Sequence, residues 1–485
     1  MRSPADRLRS ALEAWREDES RSRVARWRGA PEGSAADCWE RHERLATDRA
    51  RELLEETVGL GLVTPDEHGA LVAHLARFSA EGPLAHARDT LDGARGQTLS
   101  LGGDAYAPGD LVHALVREPD PGRRASMADV AVGALDTLVG ALLDARDEAD
   151  AAAAPWLQGA PRHADAGPPP SDLAARAHAF LRATEAVAQE LVEWSFRSIA
   201  VRGDREWQDL VYACSGPLLV AVLPDRDRWR RVASLVRGLG LARELGQRVH
   251  VEPAHGVADP RARVVAASAP LDIRVSASGV ASGVIAELGA ADAVGRALGL
   301  ALVTPALPME LRRPAVGSVA RTVGVLFAGL HADARVLRRE RGLSAREAEP
   351  IARHATLATL VSARMAAAAV VARFSTSRSR GERLELAGSL ASDAACVRVR
   401  PALAALLLLT PSGGGSRARS ALAALSLSVA LRDRFDEDWY ANPRAAEPFR
   451  AACARGGALS TEAWCVELGA ADALAVARVH ELAGG

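Results

Sequence analysis

The feature that most constrains this chain is the spacing of its apolar residues. They recur every three or four positions along most of the 485 residues and change pattern in one region. Between Val130 and Ala149, Val132, Leu135, Leu138, Val139, Leu142 and Leu143 fall on one face of a helix. Leu181, Val187, Leu191, Trp194 and Phe196 repeat the arrangement between Leu173 and Ile199. The exception is 210–278. There Leu218 to Leu223, Val249 to Val251, Val264 to Ala267 and Ile273 to Val275 form short apolar or β-branched runs punctuated by Gly, Pro and Asp, which read as strands around a helix at Arg228 to Leu245. Helical spacing returns over Gly283 to Leu300, Val319 to Ala332, Ser344 to Phe374, Arg383 to Asp393 and Pro401 to Thr410, with a further helix after the Ser412–Ser416 glycine turn. The expected fold is mainly α with a small α+β insert. No internal repeat is visible.

Ala151 to Ser171 carries Pro155, Gly159, Pro161, Gly167, Pro168, Pro169 and Pro170, which marks a linker or long loop. It divides an N-terminal helical lobe, 1–150, from a second lobe, 172–485.

Composition removes several function classes. A net charge of −1 gives no general attraction to nucleic acid or anionic membrane. All 60 basic residues are arginine, and the only asparagine is Asn442. Alongside abundant Ala and Gly, this reflects a GC-rich coding sequence rather than phosphate recognition. Five scattered cysteines (Cys38, Cys214, Cys396, Cys453, Cys465) form no CxxC, which argues against a disulfide framework or thiolate zinc site. The charged stretch from Met1 to Trp27 has no apolar signal region, and the longest apolar run, Ala402 to Leu409, is too short to span a bilayer. A cytoplasmic protein is expected.

The chemistry turns on Ile285-Ala286-Glu287-Leu288-Gly289-Ala290. The ordered series Leu271–Val275, Ala286–Ala290, Ala320–Leu330, Arg341–Ala348 and Phe435–Ala445 resembles the M3-like family of helical zinc metallopeptidases, the oligoendopeptidase type. The resemblance covers about 210–450. It implies a two-lobed, zincin-like helical fold whose site helix carries His-Glu-x-x-His, with a third ligand, usually Glu, on a second helix. His at i and i+4 work because both imidazoles leave one helix face and reach one tetrahedral ion, while the Glu takes a proton from the zinc-bound water.

Here the spacing survives without the ligands. Positions 286 and 290 are alanines, and the third-ligand position falls on Arg321 when the Leu326-Phe327 pair is used as anchor, with an insertion around Pro305 to Pro314. A methyl group cannot bind metal, and neither can a guanidinium, which stays protonated. The vestigial site is therefore Ala286, Glu287, Ala290 and Arg321, with zinc lost, no other cofactor and no catalytic residue expected. Arg321 is expected to approach Glu287 in place of the metal's charge, and Ala286 and Ala290 to be buried on the inner wall of a cleft.

Other candidates have plainer readings. His250 and His255 lie too far apart in a turn-rich segment to form a ligand pair. His331 and His354, on neighbouring helices, read as satisfied or solvated. His42, His68 and His74 read as surface residues. Phe374 to Arg380 reads as an inter-helix loop, and Trp439 and Tyr440 as packing for the C-terminal segment. No nucleophile elbow, Walker loop or dinucleotide fingerprint is present. Three functional readings follow. The first is an inactive peptidase homologue that binds a peptide or protein in the old cleft or serves as a structural partner. The second is a hydrolase with a different metal site or none. The third is a helical scaffold whose cleft has closed.

Overall fold

The computed structural model describes residues 3–28, 34–101, 104–106, 111–161, 163, 166–199, 205–220, 222–223, 227–253, 263–277, 283–375, 379–409 and 414–484. It is a helical protein with a three-stranded sheet and a short hairpin pairing Leu99–Leu101 with Asp104–Tyr106. In the sheet, strand Asp272–Ala277 is central. It pairs in parallel with Val249–Pro253 and antiparallel with Val264–Ser268. Its inward residues Ile273 and Val275 are fully buried against Ala293, Ala297 and Ala301, so the sheet backs directly onto the helix Gly283–Ala301.

That helix positions the site, and small residues set its place. Gly283 begins it with φ 69°, where a Cβ would stand 2.2 Å from the Ser215 carbonyl oxygen. The Val284 N–H donates to that same oxygen at 2.8 Å. Further along, Gly295 and Gly299 abut Gly324 and Ala320 of the helix Ser318–Gly329, and a Cβ on Gly295 would lie 2.8 Å from the Gly324 Cα. The two backbones therefore touch, flanked by buried Ala290, Ala291, Val294, Leu298, Val323, Leu326 and Phe327. Trp439 and Tyr440 join this core as expected, and Trp439 stacks on Phe449 at 5.9 Å.

The helix Ala345–Phe374 opens with a capping box between Ser344 and Glu347 and runs through the other large core. Midway along it lies fully buried Arg364. Its guanidinium donates to the carbonyls of Leu181, Asp393 and Ala394 at 2.6, 2.8 and 2.9 Å, and to the Thr184 hydroxyl at 2.8 Å. It thereby closes the C-terminal ends of the helices Pro170–Ala183 and Arg380–Ala395. Two helices, Pro121–Leu157 and Ala345–Phe374, are long and apolar enough to cross a membrane by length and composition, although no single apolar run suggested it. In the second, 67% of the apolar window is buried inside the protein, as befits a core helix.

Three sequence expectations change. Of the run 218–223, the described residues form no strand. Gly216, at φ 61°, and Pro217 turn the chain into a single 3-10 turn, Pro217–Leu219, that leaves Leu218 74% exposed. The helix expected from 228 to 245 breaks at Gly240, φ 71°, into Arg228–Gly238 and Ala242–Arg248. The long helix Pro121–Leu157 continues past 151, with Pro155 inside its last turn.

Candidate functional site

Glu287 sits in the second turn of the Gly283–Ala301 helix and is 1% exposed. A buried carboxylate requires compensation, because desolvation of the charged form is otherwise costly. The compensation is arginine, from two other helices. Arg231, on Arg228–Gly238, donates through Nε to Oε2 at 3.2 Å and through Nη2 to Oε1. Arg341, the last residue of Ala334–Arg341, donates through Nη2 to Oε2 at 2.9 Å. Arg228, one turn before Arg231 on the same face, brings its Nε to 3.5 Å from Oε1. Gly342, at φ 64°, ends the helix after Arg341 and so places that side chain at the helix terminus.

The electrostatics follow from burial and charge. Burial by itself pushes the Glu287 carboxyl up, but the hydrogen bond from Arg231 and the charge of Arg341 reverse this and hold it below the usual carboxylate range. His331, 3% exposed in the 3-10 turn Leu330–Ala332, has Nε2 3.9 Å from Glu287 Oε2. Burial, reinforced by Arg341, pushes its pKa down to about 3, so it is neutral near pH 7 and adds no charge to the cluster. Neither of its ring nitrogens has a hydrogen bond of ordinary geometry. Its ring faces the Phe327 and Ala328 backbone, so His331 is buried rather than solvated.

Ala286 and Ala290 are buried, as expected, at 5% and 2% exposure. The partnership of Glu287 with Arg321 is not found. Arg321 is half-buried and is not among the cations within ion-pair distance of Glu287. Helix register gives the reason. The contacts of 295 with 324 and of 299 with 320 mean that the helices run antiparallel. Arg321 therefore lies opposite about residue 298, roughly 16 Å along the axis from Glu287 at 1.5 Å per residue. The stretch opposite 287–290 is about 329–332, which contains His331. Anchoring on Leu326-Phe327 aligned a motif where helix register was needed.

The donor set does not fit zinc. Ala286 and Ala290 offer methyl groups, the facing stretch offers one imidazole, and the Glu287 oxygens already accept from guanidiniums, whose charge opposes a dication. Among the described residues, no group of three or more His, Cys, Asp or Glu side chains is placed to hold a metal ion.

The remaining candidates are dispersed. His250 is half-exposed, 3.9 Å from Asp272, and His255 lies outside the described residues. His354 is buried, packs on Trp194 at 4.8 Å, and is pushed down to about 4 by burial. His42 pairs with Asp18 at 3.2 Å. His68 is partly exposed, but His74 is fully buried, with Nε2 3.4 Å from the Glu310 carbonyl. The surface reading of His74 fails because it shares a helix face with the buried residues Leu71, Leu75 and Phe78. Of the loop expected between Phe374 and Arg380, 376–378 lie outside the described residues.

No protein-family model and no curated protein sequence matches the chain. The fold does match solved structures. An M32 carboxypeptidase from Deinococcus radiodurans R1 superposes with a TM-score of 0.58 at 13% identity, over 99% of this chain and 100% of that one. Metallocarboxypeptidase 1 of Trypanosoma cruzi gives 0.58 at 9% identity, over 99% of both chains. A Bacillus anthracis str. Ames protein provisionally named oligoendopeptidase F gives 0.53 at 11%, over 93% of this chain and 81% of that one. Identities this low establish the fold alone. The chain has the helical metallopeptidase fold inferred from sequence, and it overlaps end to end with the carboxypeptidases and less completely with the oligoendopeptidase-type protein.

Proposed function

We propose that this protein is a non-hydrolytic homologue of the helical metallopeptidases, which acts by binding a peptide or protein partner. The observation that carries this reading is the Glu287 cluster. In a zinc peptidase of this design the glutamate must be free to take a proton from a metal-bound water. Here it is buried, ionised and held by Arg231 and Arg341, so both of its oxygens already accept from guanidiniums. A soluble, cytoplasmic setting is part of the proposal.

A second reading, the helical scaffold with a closed cleft, draws support from the surface. Two surface depressions among the described residues are lined by no residue of 286–290. The two readings differ in whether the site helix responds to peptide. Hydrogen exchange over 284–291 slows when a peptide pool occupies the cleft and is unchanged if the cleft is closed.

The test of inactivity is incubation of the full chain with a quenched-fluorescent peptide library, with and without added zinc or cobalt, read by fluorescence and mass spectrometry. No cleavage above that of a Glu287→Gln control is expected. Cleavage that scales with protein and disappears in that control, at a temperature where circular dichroism shows the control to be folded, would overturn the proposal.

A further inference from the structure

Far from Glu287 in sequence, a second ionic cluster lies between the helices Pro4–Trp27 and Pro65–Gly96. Glu19 accepts from Arg16, from Arg23 at 2.6 Å and from Arg77 at 3.2 Å. Glu81 accepts from Arg88 at 2.6 Å and lies 3.8 Å from the Arg77 Nε. Four guanidiniums thus share two carboxylates. The chain as a whole is balanced to −1, so this local excess is a property of the site and not of composition.

The arrangement is layered. Side-chain exposure is 38% for Arg23 and 32% for Arg88, but 14% for Glu19 and 12% for Glu81. The carboxylates form the floor, and Arg23 and Arg88 the mouth, of a shallow depression between the two helices. Trp15, Trp39, Ser22 and Cys38 line its walls. Arg23 and Arg88 each direct one hydrogen bond to the floor, and a guanidinium carries five N–H donors, so the rest are available at the mouth. The Cys38 thiol in the wall adds no anion, because burial pushes it up to about 11; the further carboxylate acting on Arg88 is Asp92. Asp89, close by on the same helix, is engaged with the Ala35 and Ala36 N–H groups. Burial, followed by the charge of Arg77, pushes Arg16 down to about 9, whereas Glu81, Glu19 and Asp92 together raise Arg88.

We propose that this depression binds a small multivalent oxyanion of the phosphate class, held in bidentate fashion by Arg23 and Arg88 at its mouth. Guanidinium geometry matches phosphate oxygens in pairs. The floor carboxylates pre-orient the arginines, and the tryptophan walls shield the ion from bulk water. Free phosphate and the phosphate of a small monoester share this chemistry. Comparing the two probes distinguishes them, since only the ester would gain from the indole walls.

Two measurements on the full chain test the site. The first is thermal denaturation in inorganic phosphate against chloride of equal ionic strength. A saturable rise in Tm is expected with phosphate only, and it should be lost in the Arg23→Gln/Arg88→Gln double variant. The second needs no variant. Phenylglyoxal modification of the wild-type protein, mapped by mass spectrometry, should slow at Arg23 and Arg88 as phosphate is added, while the exposed Arg49 reacts at an unchanged rate. A Tm rise that chloride reproduces, retention of the rise in the double variant, or no protection of Arg23 and Arg88 would each overturn the proposal.

Discussion

Glu287→Gln is the sharpest perturbation of this protein, because it keeps the side chain's shape and removes one charge. The carboxylate is 1% exposed, and the side chains of its partners Arg228, Arg231 and Arg341 are 5%, 16% and 9% exposed. Solvent screening is therefore weak. At an effective dielectric of about 20, each contact at about 4 Å is worth about 4 kcal/mol before desolvation is subtracted. Removing one member of a buried ion pair costs about 3–5 kcal/mol overall, since the remaining charge is left uncompensated. Three arginines share this one carboxylate, so the upper half of that range is expected.

Arg341→Ala should cost less, because Arg231 still donates to Glu287. The double variant should fall short of the sum of the singles by about 1–3 kcal/mol. Urea unfolding followed by tryptophan fluorescence suits the assay, since Trp229 lies between Arg228 and Arg231 in sequence. Circular dichroism in parallel would verify that both probes report one transition. If Glu287→Gln lies within about 0.5 kcal/mol of wild type, typical of neutral surface substitutions, or is more stable, the carboxylate is not compensating the arginines and the reading of the site fails.

Three further outcomes are expected. Protein purified without a histidine tag should carry no stoichiometric zinc and lose no thermal stability in EDTA; about one zinc per chain retained through dialysis would contradict the account of positions 286 and 290. Stability should decline as pH falls from about 6.5 toward 5. Folded-state pKa values of about 3 for His331 and about 4 for His354 lie below the unfolded value, so in this window the unfolded chain binds protons that the folded chain does not. The slope should approach about 1.4 kcal/mol per pH unit for each histidine, and a Tm unchanged between pH 8 and pH 5 would refute it. Gly324→Ala should lower stability by about 1–3 kcal/mol through overpacking, because its Cβ would lie 2.6 Å from the Asp292 carbonyl oxygen; a Tm equal to wild type would mean that the helices separate freely.

Much of the fold was legible in the sequence because local signals and tertiary need agree there. The helices Gly283–Ala301 and Ala345–Phe374 lie within a residue or so of their expected bounds, since Gly283 and the Ser344–Glu347 box mark their starts. The run 218–223 misled because an apolar stretch carries no periodicity to separate a strand from a partly exposed turn. The site was half legible. Glu287 was found from its place between two alanines. Its partners were not, because Arg231 and Arg341 are 56 and 54 residues away in the chain. Nothing in a protein with 60 arginines singles out those two. His331 could have been chosen over Arg321 by treating the Gly295 and Gly324 positions as a helix contact and extending the register.

The Glu287 cluster also has a direction in sequence space. A histidine placed at 286 or 290 would enter a buried position filled by a methyl group and would face guanidiniums that repel any arriving dication. Clearing the guanidiniums first would leave Glu287 as a buried charge with fewer partners at every step. Exchanging the carboxylate first would strand the arginines instead. Each single replacement leads downhill in stability, so a route from this arrangement to a metal-binding one crosses a valley whichever residue changes first. The few ångströms separating one carboxylate from three arginines thus make the four residues interdependent, so that none is replaced without cost to the others.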